Sequence, residues 1–142
     1  MRKASFLLLF LTAAMGIGLA CSSRSPISPD NSAQRGIWGS NEASLTINDS
    51  SATLQILASG GCFGAYGGID QPIPTPRFAQ SGIYTQLIGA FPGYVQYAAQ
   101  YSGTVEGNQM SIMVTVPALQ QAFGPFSLTY GVGSAWVPCQ YP

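Results

Sequence analysis

Not one of the 142 residues is a histidine. A serine or cysteine hydrolase of the usual kind needs an imidazole to take the nucleophile's proton, so Ser/His/Asp and Cys/His mechanisms are excluded. Gly131-Val132-Gly133-Ser134-Ala135 has a superficial likeness to a nucleophile turn. Trp136 stands where that turn needs a glycine, two residues after the serine, and the segment reads as a hairpin turn. The carboxylates Glu42, Asp49, Asp70 and Glu106 are scattered, without the Asp-x-Asp spacing of a calcium loop or an evident pair for glycoside hydrolysis. The glycine-rich stretch Gly60 to Gly68 lacks the lysine and following Ser/Thr of a phosphate-binding loop and leads into no helix. It reads as flexible turns around Cys62.

Charge removes another class of function. From Gly36 onward the chain has no lysine, and its charged side chains are Arg77, Glu42, Asp49, Asp70 and Glu106. Nothing there could neutralise a run of phosphates, which argues against nucleic acid as a partner.

The elements that must position these residues begin after an export signal. Met1-Arg2-Lys3 precedes an uncharged apolar run from Phe6 to Ala20, the layout of a signal peptide over residues 1–20. The run is shorter than the roughly 20 apolar residues that a spanning helix needs. Ile17-Gly18-Leu19-Ala20-Cys21 resembles the lipobox of bacterial lipoproteins. That resemblance implies lipidation of Cys21, anchoring to a membrane and, with Ser22 rather than an acidic residue next, sorting to an outer membrane where the cell has one. Gly18 departs from the preferred Leu, and with Gly18 and Ala20 both small, ordinary cleavage releasing a soluble protein is also sterically reasonable. If Cys21 carries lipid, Cys62 and Cys139 remain of the three cysteines as one disulfide pair. That use of both thiols leaves no ligands for zinc, iron or copper, and no metal or cofactor is expected.

Ser22 to Gln34 is rich in Ser and Pro without apolar periodicity. With Cys21 and Arg35 it makes a lipidated N-terminus and flexible tether over residues 21–35. The rest, residues 36–142, suits one domain. Period-two alternation dominates it. Ala43, Leu45 and Ile47 lead through Asn48-Asp49-Ser50-Ser51 into Ala52, Leu54 and Ile56, a hairpin. Val95, Tyr97, Ala99 and Tyr101 face one way up to a turn at Glu106-Gly107-Asn108, and Met110, Ile112, Val114 and Val116 return inward. Phe126, Leu128 and Tyr130 follow, then a short strand near Ala135 to Cys139. Gly60 to Gly68 is expected as an irregular loop, Gln71 to Pro76 as an extended connector, and separate strands near Arg77 to Gln80 and Gly82 to Ile88. About eight short strands and no convincing helix predict an all-β fold, an antiparallel meander closed into a barrel or, alternatively, a β-sandwich.

Gly36-Ile37-Trp38-Gly39, the hairpin into Cys62, Gly68-Ile69-Asp70, Arg77-Phe78, Tyr101 to Met110 and Phe126 to Cys139 together resemble a family of small secreted or lipidated bacterial proteins of unassigned function. The resemblance implies a β fold and the cysteine pair. Gly36-x-Trp38 is also similar to the opening of lipocalin barrels, which implies an interior able to hold a small apolar ligand. Trp38, Tyr97 and Tyr101 are the residues that would line such a site. The bulky inward set predicts instead a packed core without a ligand-sized cavity. Phe63, Tyr66, Phe91 and Tyr94, if exposed on loops, offer rings to a glycan, a peptide or a membrane, or else cover the barrel mouth. The resulting expectation is a non-enzymatic structural or interaction lipoprotein of the cell envelope with an envelope protein or glycan as partner. The alternative is a lipocalin-like carrier.

Overall fold

Alternating side chains cannot all be buried by a flat sheet with two free edges, and closure removes the edges. The computed structural model, which describes residues 31–58, 62–88, 93–133 and 136–139, shows this solution. Eight antiparallel strands run in sequence order around a closed barrel: β1 Gly36–Gly39, β2 Ala43–Ile47, β3 Ala52–Leu57, β4 Phe63–Ile69, β5 Arg77–Leu87, β6 Tyr94–Glu106, β7 Gln109–Val116 and β8 Gln121–Tyr130. Pairing of β1 with β8, Trp38 opposite Tyr130, completes the ring. One 3-10 turn, Pro117–Leu119, joins β7 to β8. The barrel, not the sandwich, is the fold.

Three expectations change. Residues 63–69 of the glycine-rich stretch form β4 rather than a loop, paired with β3 and β5. Residues 77–87 form one continuous strand, paired with β6 from Arg77 to Leu87, rather than two. In both places glycine gives room to a ring from β6. A Cβ on Gly82 or Gly67 would run into Tyr101. Third, residues 31–35, expected as part of a flexible tether, are bonded to the domain. Ala33 is buried and donates its N–H to Ile73 O at 2.7 Å. Thr75 donates both its backbone N–H and its Oγ1 hydroxyl to Asn31 O. Of the expected last strand, Pro138 makes a single parallel bridge to Phe63. Residues 1–30, with Cys21, and Gly60, Gly61, Phe91, Ser134 and Ala135 lie outside the described residues.

The barrel has two mouths. Residues 31–35 and the connector before β5 cover one, where Trp38 Nε1 donates to Gln34 O at 3.0 Å and Gln34 Nε2 donates to the Tyr130 hydroxyl at 2.7 Å. At the other, Tyr84 and Phe123 stack with ring centroids 5.0 Å apart. Outside the wall at this second mouth, Cys62 and Cys139 are joined in a disulfide, Cα atoms 5.0 Å apart. Phe63 donates its N–H to Val137 O and accepts from the Cys139 N–H.

The disulfide closes a loop with a sequence separation of 77 residues. Chain entropy assigns about 4 to 5 kcal/mol to a loop of that size. Replacing both cysteines by serine is expected to lower the unfolding free energy by about that amount, read from urea denaturation of parent and variant. A loss under about 1 kcal/mol would show that the bridge does not constrain the unfolded chain.

Candidate functional site

The first candidate site is the interior. Trp38, Tyr101, Leu45, Ile112, Val114, Val116 and Leu128 have no accessible surface. A void able to hold a water would expose part of its lining, so none touches these side chains. Trp38 meets Tyr130 edge-on with centroids 5.2 Å apart. Tyr97 is half-buried and packs against the same cluster. The three residues that sequence reasoning proposes as ligand-binding are thus all on the inner side, with Trp38 and Tyr101 within the packed core.

Tyr101 shapes more than its own position. Its ring lies over Gly82 and its hydroxyl ends at Gly67. There the hydroxyl donates to Ile83 O at 2.6 Å, where the paired stretch of β4 and β5 ends at Gly68 opposite Ile83. Burial holds the phenol well above its ordinary value near 10, helped by Tyr84 and opposed by a backbone hydrogen bond from Gly68. Tyr84 is raised in turn by burial and by Tyr97.

The second candidate lies on the opposite side of the same wall. A row across the outer face runs Gln55, Tyr66, Thr85, Gln96, each opposite the next on β3, β4, β5 and β6. The adjacent row runs Thr53, Gly68, Ile83. Between Thr53 and Ile83 the glycine contributes no side chain, and nothing stands within 4 Å of where its Cβ would be. The result is an open hollow of about 200 Å³ with Gly67 and Gly68 in its lining. Tyr66 and Asp70 lie two residues either side of Gly68, so at about 3.3 Å per residue their Cα atoms bracket it across roughly 13 Å.

Tyr66 is held by what lies behind it. The β3–β4 register shifts between Ile56 and Leu57, which leaves Gly64 as an extra residue and turns Phe63 to the outer side. The Phe63 ring meets Tyr66 edge-on at 6.3 Å. Phe63 is buried and bonded on both backbone sides to the C-terminal segment. The disulfide therefore braces one wall of the hollow. Thr85, 1% exposed although it points outward, is approached by Gln96 Nε2 at 3.5 Å.

Of the four aromatics named as loop rings, Phe63 and Tyr66 are strand residues, buried and half-buried, and Tyr94 is exposed at the start of β6. Sequence reasoning missed Thr53, Thr85, Gln96 and Asp70 as a group. Only the cross-strand register brings Thr53, Thr85 and Gln96 together, although their outward parity is readable. Among the described residues no three His, Cys, Asp or Glu side chains come close enough to hold a metal ion. Arg35 pairs with Asp49 at 2.9 Å, with both side chains largely exposed, an arrangement worth little to stability.

The raised tyrosines predict alkaline sensitivity. Above about pH 10 the unfolded chain loses phenolic protons that the folded chain keeps. The stabilising contribution is complete below that pH and declines as pH rises toward the folded pKa. The expected slope is about −1.4 kcal/mol per pH unit for Tyr101. Tyr101→Phe should remove that share of the slope. At neutral pH it should cost about 1 to 3 kcal/mol, because the Ile83 carbonyl loses its donor. Urea unfolding at several pH values checks both, and equal slopes in parent and variant would refute the assignment to Tyr101.

Comparison of the chain with protein-family models, with curated proteins and with solved structures returns no match in any of the three.

Proposed function

We propose that this chain is a lipoprotein of a bacterial cell envelope, anchored through Cys21, and that its barrel serves a structural or recognition role without catalysis. The observation that supports the recognition role is the filled interior. With Trp38 and Tyr101 fully buried in a continuous apolar cluster, binding is left to the outer surface. The anchor is supported by the sequence: the charged start, the apolar run to Ala20 and the lipobox-like residues before Cys21. Fully extended, the segment from Cys21 to Asn31 spans at most about 35 Å. A lipid there would keep the domain beside the bilayer, with the mouth covered by residues 31–35 nearest the attachment point.

A lipocalin-like carrier is the second reading, favoured by the closed eight-stranded barrel and the position of Trp38 in β1. Such barrels are just wide enough for side chains to fill or for one small ligand. Here side chains occupy the centre, which favours the first reading.

Two measurements test these proposals. A fluorescent fatty-acid analogue titrated into the protein is expected to show no saturable binding, whereas saturable binding lost in Tyr97→Ala or Tyr101→Ala would establish the carrier. Intact-mass measurement and detergent partitioning of the mature protein should find acyl chains on Cys21. A water-soluble product without acyl mass would overturn the anchor.

A further inference from the structure

We propose that the outer hollow centred on Gly68 binds a single uncharged pyranose ring of an envelope glycan. This deepens the recognition role proposed above and rests on it.

The first support is the glycine. Among the described strand glycines, Gly36, Gly39, Gly64, Gly67, Gly82, Gly103 and Gly124 each have another part of the chain within 4 Å of the place a Cβ would take. Gly68 has none. Its backbone is in no left-handed conformation that would require glycine, and glycine in a strand interior is destabilising relative to residues with side chains. Packing therefore does not explain it. Space for something outside the chain does.

The second support is what surrounds the space. A volume of about 200 Å³ falls below the roughly 300 to 1,000 Å³ of pockets for drug-sized ligands, and suits one six-membered ring. Tyr66 supplies an aromatic surface with a negative face, to which the weakly positive C–H face of a pyranose is complementary. Thr53 offers a hydroxyl, Gln96 an amide and Asp70 a carboxylate, with Thr85 buried behind Gln96. These groups can accept from and donate to a ring of hydroxyls, the carboxylate most strongly. Ile83, 45% exposed, gives an apolar edge against which a C–H-bearing ring loses little solvation.

Charge selects the class. No lysine or arginine lines the hollow, so a phosphate, sulfate or uronic acid would meet Asp70 without a counter-charge. An extended peptide finds no free strand edge at the glycine itself, since Gly68 is paired with Thr53 of β3 on one side and Ile83 of β5 on the other.

The test uses the full mature protein, isotope-labelled, in a zwitterionic detergent with no sugar headgroup. Cellotriose, maltotriose and N-acetylchitotriose are titrated to about 10 mM, which reaches dissociation constants weaker than about 1 mM. Triglucuronate and trialanine serve as controls. Saturable amide shifts at Gly68, Thr85 and Gln96 with at least one neutral trisaccharide are expected. Tyr66→Ala should weaken that binding about tenfold, one aromatic contact's share.

Gly68→Val places a side chain in the hollow, starting from a Cβ that meets nothing within 4 Å, and should abolish binding while leaving the remaining spectrum in place, so loss of binding is separable from loss of fold. The proposal is overturned if no neutral trisaccharide gives saturable shifts, if Gly68→Val still binds, or if only triglucuronate or trialanine binds. A ligand entering the barrel instead would shift Trp38, Tyr101 and Val114, so failure of the filled-interior reading leaves a different signature.

Discussion

Tyr101 is the constraint around which this barrel is arranged. An eight-stranded barrel encloses little more room than its own side chains fill, so a ring lying along the inner wall requires its neighbours to have no side chain there. Tyr101 on β6 lies over Gly82 on β5 and reaches Gly67 on β4, and its hydroxyl ties the wall by donating to Ile83 O. The same rule appears one step along, where Phe78 on β5 occupies the space opposite Gly103 on β6. Large residues on one strand and glycines on the next are thus one feature seen from two sides. An isolated Gly67→Ala or Tyr101→Leu change would leave the other half unmatched.

That reciprocity explains which parts of the fold are legible in the sequence. Alternation along Val95 to Tyr101 and Met110 to Val116 places Ala99, Tyr101, Met110, Ile112, Val114 and Val116 inside, and all are buried. The hairpin turn after Ile47 is closed by Asn48 N–H to Ser51 O, as its residues indicate. Gly64, Gly67 and Gly68 read as loop because glycine weakens a strand by local criteria. The reason for Gly67 lies 34 positions away, in Tyr101, outside any local window. The N-terminal segment escapes local reading for a related reason. Ser32, Ala33 and Gln34 have no apolar pattern, and their attachment is made by backbone bonding to Ile73 and Asn31 contacts with Thr75, which no side-chain pattern reveals.

The two mouths differ in construction, and the difference bears on where the molecule can respond to a partner. One is covered by backbone and amide hydrogen bonds among residues 31–35, the connector and Tyr130. At the other, Tyr84 stacks on Phe123, with the disulfide nearby. Both arrangements commit binding capacity to the chain itself. The flank of the barrel, where strands present outward rows, is the surface left free of such internal use.

On that flank the outward residues around Gly68 are Thr53, Gln55, Tyr66, Ile83, Thr85 and Gln96, none of them charged, with Asp70 just after β4. A sheet face optimised for stability alone would carry a side chain at Gly68, where an added Cβ meets nothing within 4 Å. A glycine there forgoes roughly 0.5 to 1 kcal/mol relative to alanine. Positions where local preference is set aside without a packing reason are where function is to be sought. Gly67 has such a reason in Tyr101 and Gly68 has none inside the chain, so the two adjacent glycines face different demands: one clears room for the core, the other for what lies outside it.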